Sequence, residues 1–246
     1  MTSGKTPAAE AFQSAGGETP LSARDRFAAS LRGFGPIGIL AILVILLTGN
    51  ISIGRMVAVP LGAILVLAWT WASCTPWRDI GYVRPKSWLA TAAVSLALGC
   101  AFKVLMKVLV MPILGADPVN RTYHFLTGNR ALLPAAVWAM LVAGFSEETV
   151  FRGYLFERGF KLFGKGAVAK AAIVLVTSAA FGLAHHSDQG LAGSEQGAIV
   201  GLVFGTIFAT TGRLFPLMFA HAAFDLTALA IIYWNLESSL AHWIFK

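Results

Sequence analysis

GFGPIGILAILVILLTGNISIG, residues 33–54, contains no ionised side chain, and after the single Arg55 the stretch MVAVPLGAILVLAWTWASCTPW, residues 56–77, does the same. Each can cover the roughly 30 Å of hydrocarbon that takes about 20 helical residues, and two such runs side by side are hard to explain as the core of a soluble domain. A chain in lipid must satisfy its own backbone polar groups, which leaves helices or a closed barrel. Neither run shows the polar–apolar alternation of barrel strands, so both are read as helices.

The rest of the 246-residue sequence agrees. It is 57% hydrophobic and 13% charged, where a soluble domain carries about 25% charged residues. The expected fold is all-α: a polytopic transmembrane helical bundle of about seven spans, with six to eight compatible with the pattern. The spans fall near 34–47, 57–74, 88–114, 132–154, 171–184, 196–211 and 214–235. Residues 1–32 are rich in Ser, Gly, Ala, Thr and Pro and lack the apolar stretch of a signal peptide, so they are expected to form a flexible polar N-terminal tail without cleavage. Residues 33–246 then form the transmembrane bundle.

The formal charge of +7 is better used for orientation than as a sign of nucleic acid, which is not expected as a partner. Arg24, Arg26 and Arg32, then Arg78, Arg84 and Lys86, then Arg158, Lys161, Lys165 and Lys170 share one side if the spans alternate. Positive loops stay cytoplasmic, so a multi-pass protein with its N-terminus inside is expected. Trp77, Trp88 and Trp234 fall near span ends, where indoles prefer the interface. Cys74 and Cys100 read as small buried hydrophobes. Gly197, Gly201 and Gly205 share one helical face and would let a neighbouring helix approach closely.

Ionisable residues at membrane depth cost about 2.5 kcal/mol or more each, which makes a cluster of them a functional hypothesis. Three clusters occur: Glu147-Glu148-Thr149-Val150-Phe151-Arg152, Phe181-Gly182-Leu183-Ala184-His185 with His186 beside it, and His221-Ala222-Ala223-Phe224-Asp225. Residues four apart share a helical face while neighbours diverge by about 100°. Glu148 and Arg152 can therefore pair, and Glu147 points elsewhere as the candidate general base. His221 and Asp225 likewise present two polar groups to one face. Four such groups from three helices can enclose a water and a carbonyl carbon.

Each cluster also has a plainer reading. Glu148 with Arg152 can be a structural ion pair, His185 and His186 interfacial histidines, and His221 with Asp225 a helix–helix hydrogen bond contributing about 0.6–2 kcal/mol. Lys103 and Lys107 read as a structural or cavity-facing pair without a catalytic role. It is the combination at these spacings that favours a catalytic site.

Glu-Glu-x-x-x-Arg, Phe-x-x-x-His and His-x-x-x-Asp, in this order at the ends of successive apolar helices, resemble the CPBP family, the type II CAAX prenyl endopeptidases (Abi) and bacteriocin-processing enzymes. The motifs span residues 144–225, and Gly81-Tyr82-Val83-Arg84-Pro85 resembles the family's loop before a helix. The resemblance implies an intramembrane endopeptidase acting on a membrane-presented peptide or protein C-terminal tail. Glu147, assisted by His185, would deprotonate a water, while His221 and Asp225 stabilise the oxyanion and Glu148 and Arg152 hold the motif in shape. The family carries Asn where this chain has Asp225; a carboxyl group donates a hydrogen bond only when protonated, so an orienting role toward His221 is expected instead. A metal-free site ranks ahead of zinc, which would use Glu147, His185 and His221 as ligands.

Two other functions fit the same residues: a non-proteolytic scaffold or bacteriocin-immunity-type protein with the same fold, and a transporter, for which the internal repeats are missing from the sequence. Straight alternating helices would also hold Glu147 and His185 at opposite membrane levels. Tilted or broken helices, or a fourth helix running on to about Phe163, would remove that conflict.

Overall fold

The computed structural model describes residues 22–48 and 55–245, and among them there is no strand. The chain runs through α1 (Ala23–Arg32), α2 (Pro36–Thr48), α3 (Arg55–Ala72), a 3₁₀ turn (Trp77–Ile80) and α4 (Trp88–Leu105). A π-helical segment (Met106–Val110) carries α4 into the short α5 (Met111–Ile113), followed by a 3₁₀ turn at His124–Leu126. Next come α6 (Leu133–Glu148), a second π segment (Thr149–Tyr154), α7 (Leu155–Phe163), α8 (Ala167–Thr211), α9 (Phe215–Tyr233) and α10 (Glu237–Ala241). Large apolar side chains such as Leu89, Trp71, Trp138, Val168 and Val176 stand on the surface. So much exposed apolar surface belongs against lipid, and with the long apolar helices it marks an integral membrane protein.

Three helices are long and apolar enough to cross a membrane, Trp88–Ile113, Ala167–Thr211 and Phe215–Tyr233, and the α1–α2 pair, bent by 57°, makes a fourth if it is one span. The seven separate spans expected from the sequence are not found as such among the described residues. The expected fifth and sixth lie within one element, α8. The expected fourth, α6 with the π segment, carries Glu147, Glu148 and Arg152, and the second contributes only the shorter apolar helix Val57–Ala72.

The stretch expected as a tail divides in two. Residues 1–21 lie outside the described residues, whereas residues 23–32 form α1. Ser22 caps this helix by accepting from the Asp25 amide, with Asp25 in the first turn and Arg32 in the last, both favourable to the helix dipole. Ala28 and Leu31 are buried, and Trp69 Nε1 donates to the Leu31 carbonyl at 3.2 Å. Apolar residues one turn apart thus gave this segment a packed face.

α8 is a hairpin. At Gly190 the backbone takes φ 62° and ψ −156°, a region open essentially to glycine alone, and the helix doubles back. A Cβ on Gly201 would come within 2.7 Å of Ser178 Cα, and one on Gly182 within 2.6 Å of the Ser194 carbonyl. The glycine stripe does permit a close approach, and the neighbour is the other arm of the same hairpin. α9 packs chiefly against α4 and α6, with Gly99 of α4 lying directly on the Ala220 carbonyl. Phe156, Phe181, Phe204, Phe208 and Phe224 fill the centre of the main core. Cys74 and Cys100, expected to be buried, are exposed free thiols.

Candidate active site

α6 brings the glutamates to α9 because Gly144, one turn earlier, has no side chain: a Cβ there would sit 2.7 Å from the Ala222 nitrogen. Backbone contact at this point sets Glu147 and Glu148 opposite His221. The helix then widens into the π segment immediately after Glu148 and continues through α7 to Phe163. π turns within α-helices are frequent at functional sites. The continuous course to Phe163 and the folding back of α8 remove the conflict of levels, and Glu147 Oε2 lies 4.0 Å from His185 Nε2.

Glu148 is fully buried and does more than pair with Arg152. Its Oε1 accepts from Arg152 Nη1 at 2.8 Å and from His221 Nδ1 at 2.7 Å. The arginine is itself buried, with its guanidinium 4.5 Å from the centroid of the Phe181 ring, which adds cation–π attraction to the ion pair. A buried charge is tolerated when paired and hydrogen-bonded, and here one carboxylate serves a guanidinium and an imidazole together.

With Nδ1 of His221 fixed by Glu148, its Nε2 faces Glu147 Oε2 at 3.8 Å and Asp225 Oδ2 at 3.7 Å. His185 donates from Nδ1 to the Phe181 carbonyl at 2.8 Å, which turns Nε2 toward Glu147. The Phe181 ring stands edge-on to both imidazoles, at 4.7 Å and 5.9 Å. All six candidates, Glu147, Glu148, Arg152, His185, His221 and Asp225, thus meet in one cluster. The hydrogen bond that orients His221 comes from Glu148, whereas Asp225, expected to supply it, stands beyond hydrogen-bond distance. Sequence reasoning also passed over the full role of Phe181, which supplies His185's acceptor and underlies Arg152; its place four residues before His185 was the available signal.

Zinc ligands 2.0–2.1 Å from the metal stand roughly 3.4 Å apart in a tetrahedron. Glu147 Oε2 is 4.0 Å and 3.8 Å from the two Nε2 atoms, and among the described residues no group of three His, Cys, Asp or Glu is arranged to hold a metal ion. The two separations exceed that value by about 0.4–0.6 Å.

Fold and site together define a membrane-embedded helical protein with a carboxylate–imidazole cluster among its helices. Residues 129–227 match the family model described as Rce1-like, type II CAAX prenyl endopeptidase Rce1-like. Over that segment, which contains all three motifs, the chain is similar to a family of proteases, as the motifs indicated. No curated protein matches the chain, and no solved structure does.

Proposed function

We propose that the protein is an intramembrane endopeptidase that hydrolyses a peptide bond in a membrane-presented peptide or C-terminal tail with a water activated by Glu147 and His185. The observation that carries this reading is the convergence of Glu147 Oε2 on two imidazole Nε2 atoms at 3.8 Å and 4.0 Å. That spacing admits a water hydrogen-bonded to the carboxylate and to His185. Glu147 accepts one proton of the water as its oxygen bonds to the scissile carbonyl carbon. His221, when protonated at both nitrogens, donates Nδ1–H to Glu148 and Nε2–H to the oxyanion. Collapse breaks the C–N bond, and the proton held by Glu147 passes to the departing amine. Glu148 and Arg152 position His221, and Asp225 lines the oxyanion side. The chemistry needs no metal. The basic loops that follow α3 and α7 support a cytoplasmic N-terminus.

The test is cleavage of a quenched fluorescent library of membrane-presented peptides by purified wild type and Glu147→Ala, with and without a zinc chelator. Cleavage by wild type that is abolished in the variant and indifferent to the chelator is the expected result. Undiminished cleavage by folded Glu147→Ala overturns the assignment of the base, and loss of cleavage on chelation overturns the metal-free chemistry. A well-folded wild type that cuts nothing in the library shifts the reading to a binding or immunity role.

A further inference from the structure

Three connections of the chain meet around a cavity of about 250 Å³. Arg78 and Asp79 reach it from the 3₁₀ turn after α3, Lys165 and Lys170 from the turn into α8 and the first turn of that helix, and Thr211 and Gly212 from the place where α8 ends. Phe160 and Phe208 give it apolar walls, and none of the six candidate catalytic residues lines it.

Charge is unbalanced there. Asp79 is the only carboxylate among the described residues that line the cavity. It lies 3.8 Å from Arg78 Nε, with both side chains open to water, which makes a weak pair. Lys165 and Lys170 make no ion pair among the described residues, and the Lys165 ammonium stands 5.9 Å from the centroid of the Phe160 ring. Three cations thus face one carboxylate around a hollow, an arrangement that concentrates anions. The bias of cytoplasmic loops toward Lys and Arg places such residues on one side of a membrane, but it does not gather them from separate connections around one cavity.

The surroundings of the cavity point to lipid. Leu162, Phe163 and Val168, interleaved with these lysines along the chain, are 57%, 66% and 85% exposed, apolar surface that belongs against hydrocarbon. The same segment also lines a second cavity of about 500 Å³, whose walls, Phe163, Gly166, Ala167, Val168, Ala169 and Ala172, carry no charged side chain. A cationic hollow and an apolar one therefore share the α7–α8 turn.

We propose that the two cavities form a binding site for an anionic phospholipid of the leaflet that the α7–α8 turn faces. Its phosphate accepts from Arg78, Lys165 and Lys170, and one acyl chain lies against Phe163, Val168 and Ala172. A soluble anion would satisfy the first cavity alone, and an acidic peptide would leave the second uncovered, whereas a phospholipid occupies both. Bound there, it bridges the α3–α4 connection, the α7–α8 turn and the end of α8. The site does not depend on whether the chain cleaves peptides.

The test uses the full chain in detergent micelles. Phosphatidylglycerol and phosphatidylcholine with identical brominated acyl chains are titrated in, and quenching of tryptophan fluorescence, to which Trp77 beside Arg78 contributes, is read. Phosphatidylglycerol is expected to bind about 30-fold more tightly. Lys165→Gln with Lys170→Gln should erase that preference. Arg24→Gln with Lys86→Gln, which removes as much charge from exposed positions outside the cavity, should leave it intact. Asp79→Asn should raise it about fivefold, a gain that misfolding does not produce. Equal binding of the two lipids, a preference that survives the lysine substitutions, or an equal loss in both double variants overturns the proposal. Displacement of the lipid by inorganic phosphate or by an acidic peptide at constant ionic strength also overturns it, and assigns the cationic hollow to a soluble anion or to a protein segment.

Discussion

Glu148→Ala is the substitution that most directly tests the architecture of the cluster. Glu148 is 0% exposed and Arg152 2%, so the truncation strands a guanidinium that cannot recover water and frees His221 Nδ1 from its 2.7 Å bond. Removing one partner of a buried ion pair costs about 3–5 kcal/mol. For a chain of this size that lowers the melting temperature by about 6–20 °C. The measurement is thermal unfolding in detergent micelles, followed by tryptophan fluorescence, with peptide cleavage assayed alongside. A His221 ring displaced by about 1 Å should cut kcat by a further factor of about 10² at temperatures where the variant is folded. Replacing both charges, Glu148→Leu with Arg152→Met, should recover at least half of the lost stability, because no charge is then left without compensation. A Glu148→Ala protein that melts within 2 °C of wild type and cleaves normally would refute the shared-carboxylate arrangement.

Gly144→Val should destabilise by about 1–3 kcal/mol and depress cleavage, since its Cβ meets the Ala222 backbone nitrogen and pushes the glutamates off α9; normal yield and activity would count against that contact. Gly190→Ala should cost about 1–3 kcal/mol through its φ of 62° and ψ of −156°, read as a loss of melting temperature without a change in KM at temperatures where the protein is folded. Asp225→Asn should keep cleavage within about tenfold of wild type, since Glu148 still orients His221 and an amide can donate to the oxyanion, whereas Asp225→Ala should lose more; equal losses in the two would remove Asp225 from the oxyanion side.

How much of this was legible in the sequence depended on whether the relevant contact was local. Glu148 and Arg152 declared themselves because two opposite charges four residues apart on an apolar helix have little else to do. The three motifs stood out because ionisable groups are conspicuous against apolar neighbours. The bond from Glu148 to His221 spans 73 residues and depends on which glycine lets two helices touch, which no local period records. The π segment after Glu148 has no sequence signature, so the course of that helix was left open. The two arms of the α8 hairpin lie where the sequence places its fifth and sixth spans, whereas the turn at the single residue Gly190 leaves no mark on the apolar pattern. α1 was missed because only Ala28 and Leu31 of its face are buried.

The separation of 73 positions from Glu148 to His221 also sets a clock. A ribosome adding about 5–20 residues per second needs roughly 4–15 s to cover that interval. Until α9 emerges, the growing chain holds two glutamates and an arginine in the bilayer with no imidazole from that helix. The cluster is therefore assembled only once α9 has joined α6, and the pairing of Glu148 with Arg152 within one helix is what holds those charges in the meantime.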